Sequence, residues 1–276
     1  MEEEIRINKF LSMAGYCSRR EADGLIGRGE VTIDGKTAQM GDKVAPGQHV
    51  KVRGQEIFRE EEPVLLAFHK PVGIVCTSAR KEGDNIVDYI NYPKRIYPIG
   101  RLDKDSEGLI LMTNQGDIVN RMMRSGNCHE KEYEVTVDRR VTDDFLAGMA
   151  KGVPLKELQV VTRPCSLRRI DQKSFSIILT QGYNRQIRRM CAYFGYRVVK
   201  LKRIRVMNIE LGDLEQGKWR DVTIAERKVL YRMIEHSSNE TVTVKDRDRN
   251  EQHNGVRSRT RQNKKRREDG HKDERT

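Results

Sequence analysis

The densest set of reactive side chains lies in residues 100–108. This stretch carries carboxylates at Asp103, Asp105 and Glu107 and a guanidinium at Arg101. A nearby arginine favours the ionised form of a carboxyl group, and an ionised carboxylate can attack an electrophilic carbon. Apolar segments lie on both sides, so the pattern predicts a reactive loop between two buried strands.

Two other interpretations compete for this loop. Its carboxylates and Gly108 fall on the first positions of a calcium-binding EF-hand loop, but the twelfth position is Asn114, and a strand pattern follows where a helix is required. We therefore set calcium binding aside. A polar turn that caps a hairpin is the common fate of such a sequence. The residues alone permit the nucleophilic carboxylate without selecting it.

A second reactive stretch, residues 181–190, combines amide side chains with arginines. Asn184 is placed to cap a helix, and Arg185 and Arg188 share one face of that helix. Asparagine and glutamine offer both donors and acceptors, which suits the edges of nucleic-acid bases. A solvated basic helix face is the other interpretation.

A third stretch, residues 131–135, alternates as a strand with Lys131, Tyr133 and Val135 on one face. A tyrosine beside a lysine can stack on a base while its hydroxyl stays polar. A core tyrosine is the competing interpretation.

The elements that must position these residues follow from hydrophobic spacing. Short apolar runs separated by helical patterns predict an α+β domain with a mixed, mostly antiparallel sheet flanked by helices. The predicted strands cover 64–68, 108–113, 133–137, 174–179 and 197–209, and the predicted helices cover 117–124, 142–151 and a segment that begins near 184.

The N-terminal residues predict a separate small unit. A helical pattern ends at Gly15, a capping box of Ser18 and Glu21 opens a second helix, and an Asp-Gly turn at 34–35 indicates a hairpin. Two arginines, Arg19 and Arg20, begin the second helix, where the helix dipole disfavours cations. An external phosphate would offset that cost, or both arginines are simply solvated.

Composition bounds the partners. The chain has 276 residues and a net charge of +12, divided as 0 over residues 1–60, +7 over 61–244 and +5 over 245–276. The excess favours a polyanionic partner. Five widely spaced cysteines without a CxxC pair argue against a disulfide framework or a zinc site, and no apolar run could span a membrane. We expect a cytoplasmic protein with domains at 1–60 and 61–235 and a basic tail at 236–276.

The N-terminal pattern resembles a small RNA-binding domain first seen in a ribosomal protein, the alpha-L motif. The matching residues are Arg6–Leu11, Gly15–Ala22 and Ile33–Lys36. The resemblance implies that Lys9, Arg19 and Arg20 touch RNA phosphates.

From residue 69 onward the chain resembles the pseudouridine synthases, in particular the branch that modifies bacterial ribosomal RNA. Lys104-Asp105-Ser106 and Asn184-Arg185-Gln186 are most similar to a large-subunit member of that branch. The matching segments are His69–Gly73, Gly100–Asp103, Gly108–Gly116, Lys131–Val135, Gly182–Met190 and Gly217–Arg220.

The resemblance implies a reaction and a set of roles. Uridine is isomerised to pseudouridine without a cofactor or metal, with Asp103 as nucleophile, Tyr133 stacked on the uracil and Arg188 paired with Asp103. The residues expected to hold RNA near the site are Arg101, Leu102, Lys104, Tyr183, Asn184, Arg185 and Gln186. The implied substrate is large-subunit ribosomal RNA, with transfer RNA as a second candidate, and the implied state is a monomer.

Two other functions remain open at this point. A non-catalytic RNA-binding protein of ribosome assembly would suit the N-terminal domain and the basic tail. A nuclease that binds Mg²⁺ through the loop carboxylates is a more distant alternative.

Overall fold

A computed structural model describes residues 4–58, 62–77 and 84–237. Residues up to 237 belong to one compact unit. The predicted basic tail beyond residue 237 and residues 59–61, at the predicted domain boundary, lie outside the described residues.

The N-terminal region contains the two predicted helices, which follow a two-residue strand. Ser18 and Glu21 form the expected capping box: the Glu21 backbone donates to Ser18 Oγ (3.2 Å) and the Ser18 backbone donates to the Glu21 carboxylate (2.7 Å). The elements are β1 (Ile5–Arg6), α1 (Ile7–Met13), α2 (Arg19–Gly27), β2 (Val31–Ile33), β3 (Lys36–Thr37), β4 (Lys43–Val44), β5 (Val50–Val52) and β6 (Gln55–Ile57).

A hairpin joins β2 and β3, as the Asp-Gly turn predicts. Asp34 and Gly35 both have positive φ, 48° and 78°, which matches the turn type that suits strand twist. The strands lie in the order β3-β2-β5-β6. A core cluster that runs from Ile7 to Ile57 fills this region with its own residues. The boundary predicted near residue 60 stays a prediction.

The larger region is built on one nine-stranded sheet. All its strand pairs are antiparallel except β9 with β15, so the mixed, mostly antiparallel α+β prediction is confirmed. The strands and helices are β7 (Leu65–Lys70), α3 (Ile86–Ile90), β8 (Tyr97–Ile99), β9 (Glu107–Thr113), α4 (Gly116–Met123), β10 (Lys131–Val137), α5 (Asp143–Ala150), β11 (Pro154–Leu155), β12 (Val160–Val161), β13 (Ser166–Arg169), β14 (Ser174–Leu179), α6 (Gln186–Tyr193), β15 (Val198–Val206), β16 (Ile209–Glu210), β17 (Trp219–Asp221) and α7 (Ile224–Ile234).

The sheet runs in the order β13-β14-β10-β15-β9-β7-β17, and β8 and β16 add to it at β9 and β15. Alternate residues of β9 enter opposite cores: Leu109 and Leu111 join the side of α4 and α7, and Ile110 and Met112 join the side of α3. Helices α5 and α6 cover the half formed by β10 and β14. This arrangement brings the loop before β9 beside β15 and α6.

In the described part of the chain, no helix is both long enough and apolar enough to cross a membrane.

Candidate active site

An open cleft of about 470 Å³ lies between the loop before β9, strand β10 and the start of α6. Its charged lining consists of the basic side chains Arg101, Lys131, Arg185 and Arg203 and one carboxylate, Asp103. Because cations outnumber the single anion, the cleft favours a negatively charged ligand.

The loop that carries Asp103 is held through its main chain. Three successive carbonyl groups each accept a hydrogen bond from a donor outside the loop, and one donor, Lys70, is fully buried. The bonds, all 2.8 Å, join Gly73 N to Lys104 O, Arg188 Nη2 to Asp105 O, and Lys70 Nζ to Ser106 O. Burial lowers the pKa of Lys70. These contacts hold the main chain of residues 104–106, directly after Asp103.

The Asp103 side chain is 31% exposed and faces the cleft, so its oxygens are open to a ligand. The predicted ion pair between Arg188 and Asp103 is wrong. Arg188 instead lies 3.3 Å from the Asp105 carboxylate and donates to the Asp105 main-chain oxygen, while Arg185 comes within 3.8 Å of Asp103. Arg188 therefore secures the loop, and it is not part of the described cleft lining.

Strand β10 presents Lys131 and Tyr133 to the cleft, on the face that their spacing predicts. Tyr133 is half-buried and packs against the apolar clusters on both sides of it. Lys131 is 5% exposed and its Nζ donates to the main-chain oxygen of His129 at 2.9 Å. Burial, followed by repulsion from Arg203, lowers the pKa of Lys131 to about 8.

Helix α6 begins one residue later than predicted. Its N-cap is Arg185, with a left-handed φ of 52°, so the prediction that Asn184 caps the helix is wrong. Asn184 is exposed and lines the cleft together with the half-buried Tyr183. The buried Gln186 accepts from the Tyr183 backbone at 3.0 Å, which commits its amide oxygen to the protein.

The remaining loop residues divide by exposure. Arg101 is exposed at the cleft, and Leu102 is 8% exposed with its backbone N–H directed at the Cys76 sulfur, 3.4 Å away. Lys104 is exposed but lies outside the described cleft lining. Of the two loop cations, Arg101 and Lys104, only Arg101 lines the cleft beside Asp103.

The N-terminal residues predicted to bind RNA lie outside the described lining of the cleft. Lys9 forms an ion pair with Asp117 of α4 at 2.8 Å. Arg19 and Arg20 are exposed at the start of α2. Lys9 thus connects the N-terminal region to the larger one, and contact between these three residues and RNA stays a prediction.

Sequence reasoning missed Arg203 of the cleft, and it included Gln181 in the stretch 181–190 without naming it as a site residue. Gln181 and Arg203 are 5% and 2% exposed, and among the described residues Gln181 Nε2 and Arg203 Nη2 have no hydrogen-bond partner. Arg203 also donates through Nε to the main-chain oxygen of Leu109 at 2.6 Å. Strand β15 contains four cations, so nothing in its spacing singled out Arg203.

The loop carboxylates do not converge. Glu107 turns to Lys200 and Gln216, each 3.1 Å away, while Asp105 turns to Arg185. Over the described ranges, no group of three or more Asp, Glu, His or Cys side chains is arranged to hold a metal ion. This geometry gives no support to the calcium or nuclease interpretations.

Comparison with known proteins gives one consistent answer. The family model of RNA pseudouridylate synthases matches residues 64–193, and that of S4 domains matches residues 5–50. The chain is 52% identical over 241 residues to the dual-specificity RNA pseudouridine synthase RluF of Escherichia coli K12, covering 87% of this chain and 82% of that protein.

A more distant relative is the ribosomal large subunit pseudouridine synthase B of Bacillus subtilis, 34% identical over 241 residues that cover 85% of this chain and 98% of the relative. A crystal structure of a pseudouridylate synthase superposes with a TM-score of 0.61 at 28% identity, covering 82% of this chain and 99% of the other.

Proposed function

The chain belongs to the RNA pseudouridylate synthase family and converts uridine to pseudouridine in RNA, and we propose that Asp103 is its nucleophile and large-subunit ribosomal RNA its substrate. One observation carries the assignment of Asp103. Its carboxylate is the only acidic group in the described cleft lining, and it sits on a loop whose main chain is held by three outside donors. This family and this cleft favour catalysis over a non-catalytic assembly protein.

The isomerisation rearranges bonds within one nucleotide. The bond from C1′ to N1 breaks, the uracil turns, C5 bonds to C1′, C5 loses a proton and N1 gains one. No electrons are gained or lost overall. The Asp103 carboxylate supplies the electron pair for a transient covalent bond to the nucleotide, and that bond breaks as the product forms.

Other cleft residues act on the base. Tyr133 stacks on the uracil and assists removal of the C5 proton. Lys131 and Arg203 are buried cations in the same lining, so they stabilise negative charge that develops on the detached base.

The target base must leave its helix to reach Asp103, because a duplex hides C1′ and both faces of the base. Extrusion costs a few kcal/mol, which favours loops and junctions. Arg101 is exposed beside Asp103 and fills the gap left by the base. Tyr183, Asn184 and Arg185 bind the RNA strand on either side of the extruded base.

The N-terminal region directs the enzyme to its target, with Lys9, Arg19 and Arg20 on RNA phosphates. The name of the RluF relatives, dual-specificity RNA pseudouridine synthase, supports a second RNA substrate. We take this to be transfer RNA, and we place the reaction in the cytoplasm with a monomeric enzyme.

The assignment is tested with Asp103→Ala and Asp103→Asn on in vitro transcripts of large-subunit ribosomal RNA and of transfer RNA. Pseudouridine is mapped by carbodiimide treatment and reverse-transcriptase stops. Loss of the nucleophile should lower the single-turnover rate by at least about a thousandfold. Asp213→Asn, at an exposed position outside the described cleft lining, is the matched control. Retained activity in both Asp103 variants would disprove the nucleophile, and an unmodified ribosomal transcript with wild-type enzyme would disprove the substrate.

A further inference from the structure

Gln181 is a carboxamide in the cleft lining that is buried and, within the described part of the chain, unpaired. It is 5% exposed, and no described residue forms a hydrogen bond with its Nε2 or its Oε1. Burial of a polar group without a partner costs free energy, so nearly all such groups in folded proteins are paired. Because Gln181 lines an open cleft, a bound ligand can supply the partner.

The two other carboxamides in the described cleft lining differ from Gln181 in this respect. Gln186 is buried, but its oxygen accepts from the Tyr183 backbone at 3.0 Å and its Nε2 lies 3.6 Å from the Met190 sulfur. Asn184 is exposed, so water can satisfy its amide. Gln181 therefore combines burial with an amide that the described protein does not use.

Gln181 lies beside the strand that carries the proposed stacking residue, Tyr133. This strand, β10, runs between β14 and β15. Gln181 follows Leu179, the last residue of β14, by two positions, and both residues line the cleft. Arg203 of β15 pairs in register with Tyr133 from the other side. A base stacked on Tyr133 thus has Gln181 on its β14 side and Arg203 on its β15 side.

The free edge of uracil matches a carboxamide. It presents the N3–H donor between two carbonyl oxygens, O2 and O4, so an amide can accept from N3–H through Oε1 and donate to a carbonyl through Nε2. Cytosine has no proton on N3 and carries an amine in place of O4. That amine would meet the buried cations Lys131 and Arg203 of the same lining.

The N3–H group also keeps its place while the base turns. For C5 to replace N1 opposite C1′, the ring rotates by half a turn about the line through N3 and C6. O2 and O4 exchange positions in this rotation, and N3–H stays on the axis. An acceptor on N3–H therefore binds the detached uracil equally well before and after the turn.

We propose that Gln181 determines specificity for uracil: its side-chain oxygen accepts from N3–H and holds the base while it turns. The inference rests on the proposed function, in which the uracil stacks on Tyr133 after Asp103 attacks the nucleotide. It adds a contact to the one edge of the base that neither the stacking nor the attack uses.

The test replaces N3–H in the substrate and its acceptor in the enzyme. Two ribosomal RNA fragments carry either uridine or 3-deazauridine, which has C–H in place of N3–H, at the position that the wild-type enzyme modifies. Both are tritiated at C5, and tritium release gives the single-turnover rate at saturating enzyme. The preference for uridine over 3-deazauridine should be at least about fivefold smaller in Gln181→Met than in wild type.

This comparison cancels two unrelated effects. The replaced ring atom also changes the base as a leaving group, but that effect is common to both enzymes. Partial misfolding of a variant lowers both of its rates together, so the ratio of the two rates is unaffected. Gln172→Met makes the same substitution in an exposed turn outside the described cleft lining and should keep the wild-type preference.

A second variant separates the acceptor from the rest of the side chain. Gln181→Glu keeps an oxygen acceptor at nearly the same size, so it should retain the wild-type preference within about twofold. An undiminished preference in Gln181→Met, or a preference lost in Gln181→Glu, would overturn the inference. Absence of tritium release by the wild-type enzyme from the uridine fragment, or release by Asp103→Ala at the wild-type rate, would instead contradict the proposed function.

Discussion

The loop that carries Asp103 and the N-terminal helices α1 and α2 both place arginines beside acidic side chains. The two regions differ in how far along the chain the hydrogen-bond partners of those acidic side chains lie. In the loop, the partners of Asp105 come from α6, about 80 residues further along the chain, and a buried lysine holds the next carbonyl. In α2, Ser18 and Glu21 satisfy each other across three residues at the surface. Substitutions in the loop should therefore change the whole fold or the reaction, and those in the helix pair should change local stability.

The substitution Gly108→Ala has the largest expected effect on the free energy of unfolding. Its φ is +110°, and an added Cβ would lie 2.5 Å from the Arg203 backbone nitrogen, where β9 and β15 pair in parallel. Gly108→Ala should lower the free energy of unfolding by at least about 3 kcal/mol. Urea unfolding measures this.

The matched N-terminal control is Gly27→Ala at the end of α2, where an added Cβ meets nothing within 4 Å. It should be neutral or stabilising by up to about 1 kcal/mol. Equal changes in the free energy of unfolding for Gly108→Ala and Gly27→Ala would contradict the difference between the two regions.

Burial of Lys131 makes a large contribution to the free energy of unfolding, and that contribution depends on pH. Its folded-state pKa of about 8 lies below the ordinary 10.5, so between those values the unfolded chain binds more protons than the folded one. Stability from this group therefore rises as the pH increases from 8 to 10.5, on the order of 3 kcal/mol over the full window. Lys131→Met should lack this rise.

Urea unfolding of wild type and Lys131→Met at pH 7.5 and pH 10 measures the difference, with Lys51→Met, exposed on β5, as the N-terminal counterpart. A gap between wild type and Lys131→Met that does not change with pH would contradict the effect of burial.

Ser18 gives a moderate and local effect. Ser18→Ala removes the side-chain half of the capping box and should cost about 1 kcal/mol of stability in the N-terminal region. The rate at saturating enzyme should stay at the wild-type value, because the cleft lies in the larger region. Thermal unfolding and the single-turnover assay measure the two quantities. A strong fall in the saturating rate would show that the regions are coupled more tightly than this comparison assumes.

The ion pair of Lys9 and Asp117 gives the smallest effect. Their side chains are 29% and 52% exposed, so water and salt screen the attraction. A double-mutant cycle with Lys9→Gln and Asp117→Asn should give a coupling energy below about 1 kcal/mol. A larger coupling would mean that the N-terminal region is held against α4 more firmly than one screened pair allows.

Local elements could be predicted because their signals are short in sequence. The Ser18 cap, the Asp34 turn and the apolar runs of β7, β9, β10 and β14 each depend on neighbours within a few residues. Elements too short to show a period were missed, among them the five-residue α3 and the three-residue β17.

The candidate site was predictable in its parts but not in its pairing. Asp103, Tyr133 and Arg185 all line the cleft, as the motifs indicate. The sequence predicts that Arg188 pairs with Asp103, but in the structure Arg185 lies near Asp103 and Arg188 contacts Asp105. This pairing depends on where α6 begins and on how β15 packs. Residues 80 positions apart carry no spacing signal, so such pairing appears only in the fold.

The parallel pairing of β9 with β15 also sets an order of events during synthesis. The last residue of the N-terminal core cluster is Ile57. Gly108 of β9, in contrast, can pair with Arg203 of β15 only after nearly 100 residues beyond Gly108 have been added. Contacts between distant segments form slowly, and domains fold as units while the chain emerges from the ribosome. We therefore expect the nascent chain to hold a folded N-terminal region before it can have any catalytic competence.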